Sequence, residues 1–274
     1  MVNFMSGTER GVERIRHELK FRIASVVGTE RITPKMARIT LTSDDFDSFV
    51  SLAYDDHCKV FFPEAGQSEF PLPQRGENGL VFPDGRRPEA RDYTPRSYDN
   101  AAKTLILDFV LHGDGPASSW AETAEPGDRI GIGGPRGSFV VKGAFDWYLL
   151  IGDETALPAI ARRLEELPKS AKAIAIIEVA DNGEIQTIDA PKGAEIHWLS
   201  REGAEPGDPD RLLGAAQALA LPEGDGYVFI AGENRVSKAL RTHFVDTLGH
   251  NPDWIKAAGY WQVGADDFDD GHAH

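Results

Sequence analysis

The sequence predicts two domains of different class, an antiparallel β domain followed by a doubly wound α/β domain. Up to residue 141, short β-branched or alternating segments are separated by Gly, Pro and Asn turns, which is typical of an antiparallel barrel or sandwich. After residue 146, apolar strands alternate with amphipathic helices, which indicates a parallel sheet. We therefore expect domains at residues 15–143 and 144–264, with an acidic, disordered tail at 265–274.

The elements of the first half follow from β-branched runs between turn signals. Five strands are predicted, at residues 20–29, 36–42, 57–62, 91–98 and 104–112. Residues 67–89 are rich in Pro, Gly and charge and are expected to form a surface excursion. The run 131–137 (GIGGPRG) resembles a phosphate loop, but a strand follows it instead of a helix, so we interpret it as a barrel turn. A short helix is the expectation for residues 3–19.

The elements of the second half follow from the change of hydrophobic period. Strands are predicted at residues 147–151, 172–179, 195–199 and 227–231, and helices at 157–167, 210–220 and 236–247. Since strands and helices alternate, the carboxyl ends of the strands should share one edge of the sheet, where open α/β sheets bind nucleotides.

Composition excludes several classes of function. There are 29 basic and 44 acidic residues, and the net charge of −15 disfavours nucleic acid and anionic lipid as partners. No apolar run approaches the roughly 20 residues of a membrane helix. Cys58 is the single cysteine, the start of the chain does not resemble a secretory signal, and the histidines lack metal-site spacing. We expect a cytoplasmic protein with no metal site.

Residues 91–96 (RDYTPR) carry the parts of a flavin site. The guanidinium of Arg91 can pair with a diphosphate. Tyr93 lies two residues further on the same strand face, where its ring can lie against an isoalloxazine. Thr94 offers a small hydroxyl near flavin N5.

Residues 112–118 (HGDGPAS) predict an anion site at the start of a helix. A strand ends at His112, and Pro116 suits a first helical position. Backbone N–H groups at a helix start, with no side chain at Gly115 to block approach, bind phosphate well. Ser118 adds a hydroxyl.

Three segments follow predicted strands of the α/β half, at the edge expected to bind a nucleotide. Residues 152–158 (GDETALP) lack a G-x-G-x-x-G fingerprint, but Thr155 can cap the next helix. Ser200 and Arg201 could receive a 2′-phosphate, which favours NADPH over NADH. Glu233, after Gly232, could face a nicotinamide. Each segment also fits an ordinary capped turn or solvated loop.

Taken together, these segments resemble the siderophore-interacting protein family of ferric-siderophore reductases, within the ferredoxin-NADP reductase superfamily. The resemblance extends from Phe21 to Gly264. Its matching segments are residues 57–63 (HCKVFFP), 91–96, 112–118, 152–158, 231–233 (AGE) and 259–261 (GYW). It implies a Greek-key FAD-binding β-barrel followed by an NAD(P)H-binding α/β domain.

The resemblance also implies a cycle and a set of roles. Hydride passes from NADPH or NADH to FAD, which lies in a cleft between the domains, and single electrons then reduce chelated Fe(III). Arg91, Tyr93 and Thr94 would hold the diphosphate, ring and N5 region, with Tyr93 and Thr94 as the catalytic, positioning pair. The remaining cofactor-binding residues would be His112, Gly115, Ala117, Ser118, Asp153, Glu154, Thr155, Ser200, Arg201, Glu233 and Trp261.

The chain departs from the family where the ferric siderophore would bind. Members commonly continue the Tyr-Trp pair with two arginines and glycine, but here Gln262 and Val263 follow Trp261. Lys59 and Lys256 remain as substrate-binding candidates. Because two cations are missing, we expect a less anionic chelate, such as a hydroxamate, rather than a tricatecholate.

Two alternatives stay open from the sequence. One is a general flavin reductase or a reductase that has ferredoxin as a partner, although an acidic surface disfavours an acidic ferredoxin. The other is a siderophore-binding module without turnover. The siderophore and the choice between NADPH and NADH are also open.

Overall fold

The computed structural model describes residues 10–63, 72–76, 79–82, 85, 88–113 and 115–265. The predicted tail therefore lies outside the described residues, apart from Ala265. The chain divides into two compact units. Residues 16–138 and 183–186 form one, called here the barrel unit. The other, the α/β unit, comprises residues 10–15, 139–182 and 187–265 of the described chain.

Eleven strands precede the α/β strands within the described residues. They are β1 Gly11–Arg16, β2 Phe21–Thr33, β3 Met36–Thr42, β4 Cys58–Phe61, β5 Gln74–Gly76, β6 Gly79–Val81, β7 Ala90–Tyr93, β8 Pro95–Asp99, β9 Thr104–Val110, β10 Arg129–Gly133 and β11 Gly137–Lys142. Seven of them form one sheet in the order β7-β4-β10-β2-β3-β9-β8, whose pairings are antiparallel. β1 pairs with β11, and β5 pairs with β6.

The two edges of the seven-stranded sheet meet at Thr94. β7 is one edge strand and β8 is the other, yet only Thr94 separates them in the chain. One residue spans at most about 3.6 Å of extended chain, so the edges must approach each other there. The sheet is therefore curled into a barrel, which decides between the barrel and the sandwich. We call this position, residues 91–96, the seam.

Four predictions for the first half need correction. The strand predicted at 91–98 is two strands, because β7 pairs with β4 and β8 pairs with β9, at opposite edges of the sheet. Residues 11–16, inside the segment expected to be an N-terminal helix, instead form β1, while residues 3–9 of that segment lie outside the described residues. The described part of the surface excursion contains the β5–β6 hairpin. The glycine-rich run is a turn only in part, since residues 131–133 lie inside β10 between β2 and β4 and residues 134–136 connect β10 to β11. Gly133 is required there because a Cβ atom would lie 2.9 Å from the Phe21 ring.

A buried apolar cluster fills the barrel, and one helix packs against it. The cluster includes Ile39, Leu41, Val60, Leu107, Phe109 and Ile132. Helix α1, Pro116–Thr123, begins after a short turn that follows β9 and buries Ala117 and Ala121 against the same cluster. Burial of about 25 cal/mol per Å² of apolar surface makes this cluster the main source of stability in the unit.

The α/β unit is a five-stranded parallel sheet with helices between its strands. Its strands are β12 Trp147–Gly152, β13 Ala173–Val179, β14 Glu195–Ser200, β15 Gly226–Glu233 and β16 Ile255–Trp261. Helices α2 Leu157–Glu166, α3 Pro209–Ala218 and α4 Asn234–Thr242 lie between them. β16 is a parallel strand that the sequence analysis did not identify.

The strand order of this sheet, β14-β13-β12-β15-β16, creates a switch point. The chain proceeds outward from β12 to β14 and then returns to the other side of β12 as β15. At such a point the connections leave the sheet in opposite directions and open a crevice at the carboxyl ends. Gly152 of β12 and Ala231 of β15, which are paired in the sheet, lie at this switch point.

The predicted fold class, a β-barrel followed by a doubly wound α/β domain, is confirmed. Within the described part of the chain, no helix is both long and apolar enough to cross a membrane.

Candidate functional site

At the barrel seam, the Tyr93 ring packs among other aromatic rings, and Thr94 follows it in the chain. The Tyr93 ring lies 4.3 Å from the Phe109 ring, centroid to centroid, and Phe109 in turn lies 5.7 Å from Trp120 of α1. Burial raises the pKa of the Tyr93 phenol, an effect that the Arg91 charge partly offsets. Tyr93 therefore keeps its proton at neutral pH and offers a neutral ring. Thr94 is buried beside it.

Arg91 lies at the same seam with a displaceable partner. Its Nη1 donates to an exposed carboxylate oxygen of Glu89 at 3.1 Å and to the Ala90 carbonyl at 2.8 Å. An exposed ion pair of this kind contributes about 0–1 kcal/mol. An incoming diphosphate can thus compete with Glu89 for the guanidinium at low cost.

The start of α1 offers backbone donors without a capping side chain. Gly115 is the N-cap and has no side chain that could cap the helix, and Pro116 follows it. The N–H groups of Ala117 and Ser118 consequently have no acceptor inside the helix. A Cβ at position 115 would lie 3.3 Å from Cε1 of His112, so glycine keeps this entrance open.

The Ser118 hydroxyl has a structural role at this turn. Its oxygen accepts a hydrogen bond from the His112 backbone N–H at 3.0 Å, and the side chain is buried. Its backbone N–H is still available at the helix start. The donors of the barrel unit, a guanidinium, an uncapped helix start and a neutral aromatic surface, fit the diphosphate and ring of FAD.

Asp153 lies at the switch point of the α/β unit, directly after β12. Its Oδ1 accepts from the N–H and the hydroxyl of Thr155, at 2.9 and 2.5 Å. Its Oδ2 accepts from the Glu233 N–H at 3.1 Å and from the Trp261 indole at 2.8 Å. Asp153 therefore joins the ends of β12, β15 and β16. Gly232, at φ +139°, is needed because a Cβ there would lie 2.6 Å from Oδ2.

Burial raises the pKa of the Asp153 carboxyl, and the charge of Glu154 raises it further, against the hydrogen bonds from Thr155 and Trp261. All four of its hydrogen bonds come from this unit. Asp153 thus shapes the edge of the crevice through the groups that it orients.

Glu233 was expected to face a nicotinamide, and the structure gives its carboxylate another task. Oε2 accepts from the N–H groups of Arg235 and Val236, at 2.6 and 3.1 Å, so Glu233 is the N-cap of α4. Oε1 accepts from the Val263 N–H at 3.3 Å. Glu233 is buried and holds the segment that follows Trp261 against the start of α4.

Arg201, the predicted receptor of a 2′-phosphate, already has carboxylate partners. Its Nη1 and Nη2 donate to the two oxygens of Glu154 at 2.6 and 2.5 Å, and Nη1 also lies 3.4 Å from Glu178. Burial alone would lower the pKa of Arg201, but these carboxylates raise it overall, so the arginine stays charged. Ser200 lies beside it, and its hydroxyl accepts from the Glu202 N–H at 3.2 Å.

The two lysines proposed for the substrate are also engaged. Lys59 of β4 lies opposite Asp92 of β7 in the sheet, and its Nζ donates to that carboxylate at 2.8 Å. Lys256 of β16 places its Nζ 4.5 Å from the centre of the Phe139 ring, a cation–π contact. Both lysines keep part of their surface in solvent.

Sequence analysis missed three groups at these sites: Asp92 as the partner of Lys59, Glu178, and the aromatic rings of Phe109 and Trp120 near Tyr93. Asp92 becomes a partner of Lys59 only through the register of β4 and β7, which the sequence does not give. Glu178 had a detectable signal, because it is the one charged residue in the otherwise apolar strand β13 and lies next to its carboxyl end. Phe109 and Trp120 had none beyond ordinary core patterning.

Comparison with known proteins identifies the family. The family model described as "Siderophore-interacting FAD-binding domain" matches residues 25–139, and the model "Siderophore-interacting protein" matches residues 145–264. The chain is 37% identical over 262 residues to the NADPH-dependent ferric-chelate reductase of Escherichia coli (strain K12), covering 94% of this chain and 100% of that protein.

Two further proteins are similar over most of their length. The ferric vibriobactin reductase ViuB of Vibrio cholerae is 33% identical, with 89% of this chain and 90% of that protein covered. The crystal structure of a siderophore utilization protein from T. fusca superposes with a TM-score of 0.87 at 42% identity, covering 95% of this chain and 99% of that chain. The chain belongs to the siderophore-interacting protein family.

Proposed function

We propose that the chain is an FAD-dependent oxidoreductase that passes electrons from NADPH or NADH to Fe(III) held by a siderophore and releases Fe(II) for assimilation. The observation that carries the proposal is the barrel seam, where a neutral Tyr93 ring and Thr94 lie beside Arg91, in a chain related over 94% of its length to a named ferric-chelate reductase. Oxygen ligands hold Fe(II) less tightly than Fe(III), so reduction of the bound Fe(III) favours release of the iron.

FAD, when bound, supplies the chemistry by accepting two electrons from the nicotinamide and passing them singly to iron. The residues of the barrel unit bind and orient it. Arg91 and the N–H groups at the start of α1 hold the diphosphate, with His112, Gly115, Ala117 and Ser118 forming that entrance. Tyr93 and Thr94 position the ring. Electron transfer requires no side chain to give or take a proton. Tyr93 stays protonated because its burial raises the pKa of the phenol.

The α/β unit receives the nicotinamide nucleotide at its carboxyl edge. Asp153, Glu154, Thr155 and Ser200 lie at the ends of β12 and β14, and Arg201 is the cation with which a 2′-phosphate would pair. Glu233 and Trp261 fix the end of β16 beside the crevice. We propose a nicotinamide rather than ferredoxin as the donor, because a net charge of −15 repels an acidic protein.

The substrate is proposed to be a ferric chelate of modest negative charge. Lys59 shares its charge with Asp92, and Lys256 stacks on Phe139. Because the Asp92 carboxylate offsets the charge of Lys59, this lysine attracts a tricatecholate less than a lysine without an acidic partner would. A ferric hydroxamate should therefore be reduced with a higher kcat/KM than a ferric tricatecholate, and a strong preference for the tricatecholate would contradict the proposed substrate class.

The proposed location of the protein is the cytoplasm, which cell fractionation tests.

The proposal is tested by purifying the protein with FAD. We expect a yellow protein whose flavin absorbance is bleached anaerobically by NADPH or NADH and recovers on addition of a ferric siderophore. A colourless protein that takes up no FAD would contradict the whole proposal. Bleaching that does not reverse with ferric chelate would leave a flavin reductase, and siderophore binding without bleaching would leave a binding module.

A matched pair of arginine variants tests the role of the seam. Arg91→Gln should weaken FAD binding about tenfold or more, since a hydrogen bond to a charged group contributes about 1.5–3 kcal/mol. Arg31→Gln is the control, because Arg31 also pairs with a surface carboxylate, that of Glu122 at 3.6 Å. Equal FAD affinity in the two variants would remove Arg91 from the site.

A further inference from the structure

One ion-pair cluster of the α/β unit places two carboxylates, those of Glu154 and Glu178, against Arg201, the arginine predicted to bind a phosphate. Glu154 follows β12, Glu178 lies near the end of β13, and Arg201 follows β14. Because β13 is paired with β12 on one side and β14 on the other, Arg201 reaches along the sheet edge past Glu178 to Glu154. Arg211 of α3 approaches the far side of Glu178, at 3.3 Å.

The geometry of the Arg201–Glu154 contact decides what else can bind there. Both terminal nitrogens of the guanidinium are used in a two-bond contact with the two oxygens of Glu154. A phosphate pairs with arginine through the same parallel N–H pair. Carboxylate and phosphate therefore compete for one edge of Arg201 and cannot both occupy it.

Burial indicates which group can leave. Glu178 is 4% exposed and Arg201 is 6% exposed, and the Arg201 backbone N–H is also fixed by the Val179 carbonyl. Glu154 is 18% exposed and lies in the turn between β12 and α2. Its carboxylate can turn out to water without breaking the sheet, whereas the other two groups cannot.

We propose that Glu154 is the specificity-determining residue for the electron donor, acting as an internal competitor that occupies the edge of Arg201 to which a 2′-phosphate would bind. The inference rests on the proposed function and deepens it. NADH leaves the Arg201–Glu154 pair intact. NADPH must displace Glu154, and the loss of that pair offsets part of what the phosphate gains. Glu154 thus reduces the difference in affinity between NADPH and NADH, so that the chain can use either donor.

The test measures equilibrium binding of two small probes, 2′,5′-ADP and 5′-AMP, by isothermal titration calorimetry on the FAD-loaded protein. Glu154→Gln keeps the shape of the side chain and removes its charge. We expect it to bind 2′,5′-ADP about tenfold more tightly than the wild type, because one negative charge next to a dianion is removed. Binding of 5′-AMP should stay within about twofold.

Glu166→Gln is the matched control. Glu166 pairs with Arg162 on α2, so the substitution removes the same charge from the same unit at a different ion pair. The Glu166→Gln substitution should change the affinity for neither 2′,5′-ADP nor 5′-AMP. Glu154→Asp keeps the charge but shortens the side chain, and it should tighten 2′,5′-ADP less than Glu154→Gln does. Thermal unfolding of each variant checks that it is folded.

Three outcomes overturn the inference, each in a different way. If Glu154→Gln binds 2′,5′-ADP no more tightly than the wild type while 5′-AMP still binds, Glu154 is not a competitor and only this inference fails. If the wild type and the variants bind neither NADP⁺ nor NAD⁺, the proposed donor site fails and this inference fails with it. The same affinity gain in Glu166→Gln would reduce the effect to net charge and also overturn it.

Discussion

Lys59 and Arg201 were both predicted from the sequence to bind anions, and both hold a carboxylate of their own chain. They differ in burial. Lys59 and Asp92 are 39% and 43% exposed in the barrel unit. Arg201 is 6% exposed in the α/β unit and contacts two carboxylates. The first is a surface ion pair between two strands, and the second is a buried cluster at the edge of a sheet.

The difference shows that pairing alone does not decide whether a cation is free to bind a ligand. A solvated pair is worth about 0–1 kcal/mol, so a ligand can replace the partner of Lys59 easily. A buried cation cannot be left without a partner, so a ligand at Arg201 must exchange with a carboxylate. We therefore expect Lys59 to respond to ligand charge and salt, and Arg201 to respond to loss of its partners.

The largest expected effect is on stability. Arg201→Met leaves the buried Glu178 with only one of its two cations and leaves Glu154 without its partner, so it should lower the free energy of unfolding by about 3–5 kcal/mol. Lys59→Met should lower it by at most about 1 kcal/mol. Urea denaturation of both variants measures the difference. Equal losses would show that burial does not separate the two sites.

The next effect is a pH dependence at Glu178. Burial raises the pKa of this carboxyl to about 7, with a contribution from Asp153, although Arg201 and Arg211 lower it. Between the ordinary value of 4.5 and about 7, the folded state binds more protons than the unfolded state. This group therefore makes stability fall as pH rises through that window.

Glu178→Gln should remove that part of the pH dependence. The stability of the wild type relative to the variant should decrease from pH 4.5 to about 7 and then level off. Urea denaturation across this window measures the difference. A constant difference would mean that Glu178 stays ionised throughout.

A smaller effect is expected on substrate binding at Lys59. Asp92→Asn releases the lysine from its partner and should lower KM for an anionic ferric chelate about two- to fivefold, with kcat unchanged. The control is Asp44→Asn, which removes an exposed partner of Lys103 elsewhere in the barrel unit. A KM that does not change, or that falls equally in both variants, would remove Lys59 from the substrate site.

The smallest effect is that of salt. A double-mutant cycle for Lys59 and Asp92 should give at most about 1 kcal/mol of coupling, and at about 1 M salt the coupling should approach zero. The coupling of Arg201 and Glu154 should persist, because solvent ions screen buried charges much less. Salt sensitivity of the second pair would contradict the burial that distinguishes it.

Much of the fold could be predicted from hydrophobic period and turn residues. The strands around Ile39 and Leu107 and the alternation after Trp147 have patterns that only their own element type satisfies. β16 was missed because a half-buried edge strand has a weaker apolar signal. The division at Thr94 was missed because closure of a barrel depends on which strands pair, and pairing is a property of the whole sheet.

The candidate site was predictable in its residue types and less so in their states. The arginine, tyrosine and threonine of the seam and the uncapped helix start could be identified from the sequence. The partners of the cations could not, since Asp92 depends on strand register and Glu154 depends on the order of β12, β13 and β14. Charge at a site is thus set by long-range contacts that sequence spacing does not contain.

The proposed function requires that electrons from a nicotinamide reach chelated iron on this protein. It is tested most directly by counting Fe(II) trapped by a ferrous chelator against NADPH consumed, without oxygen, with the FAD-loaded protein and a ferric hydroxamate. Because a hydride carries two electrons, we expect two Fe(II) for each NADPH. Consumption of NADPH with little or no Fe(II), or Fe(II) that forms only when free flavin is added, would contradict the account.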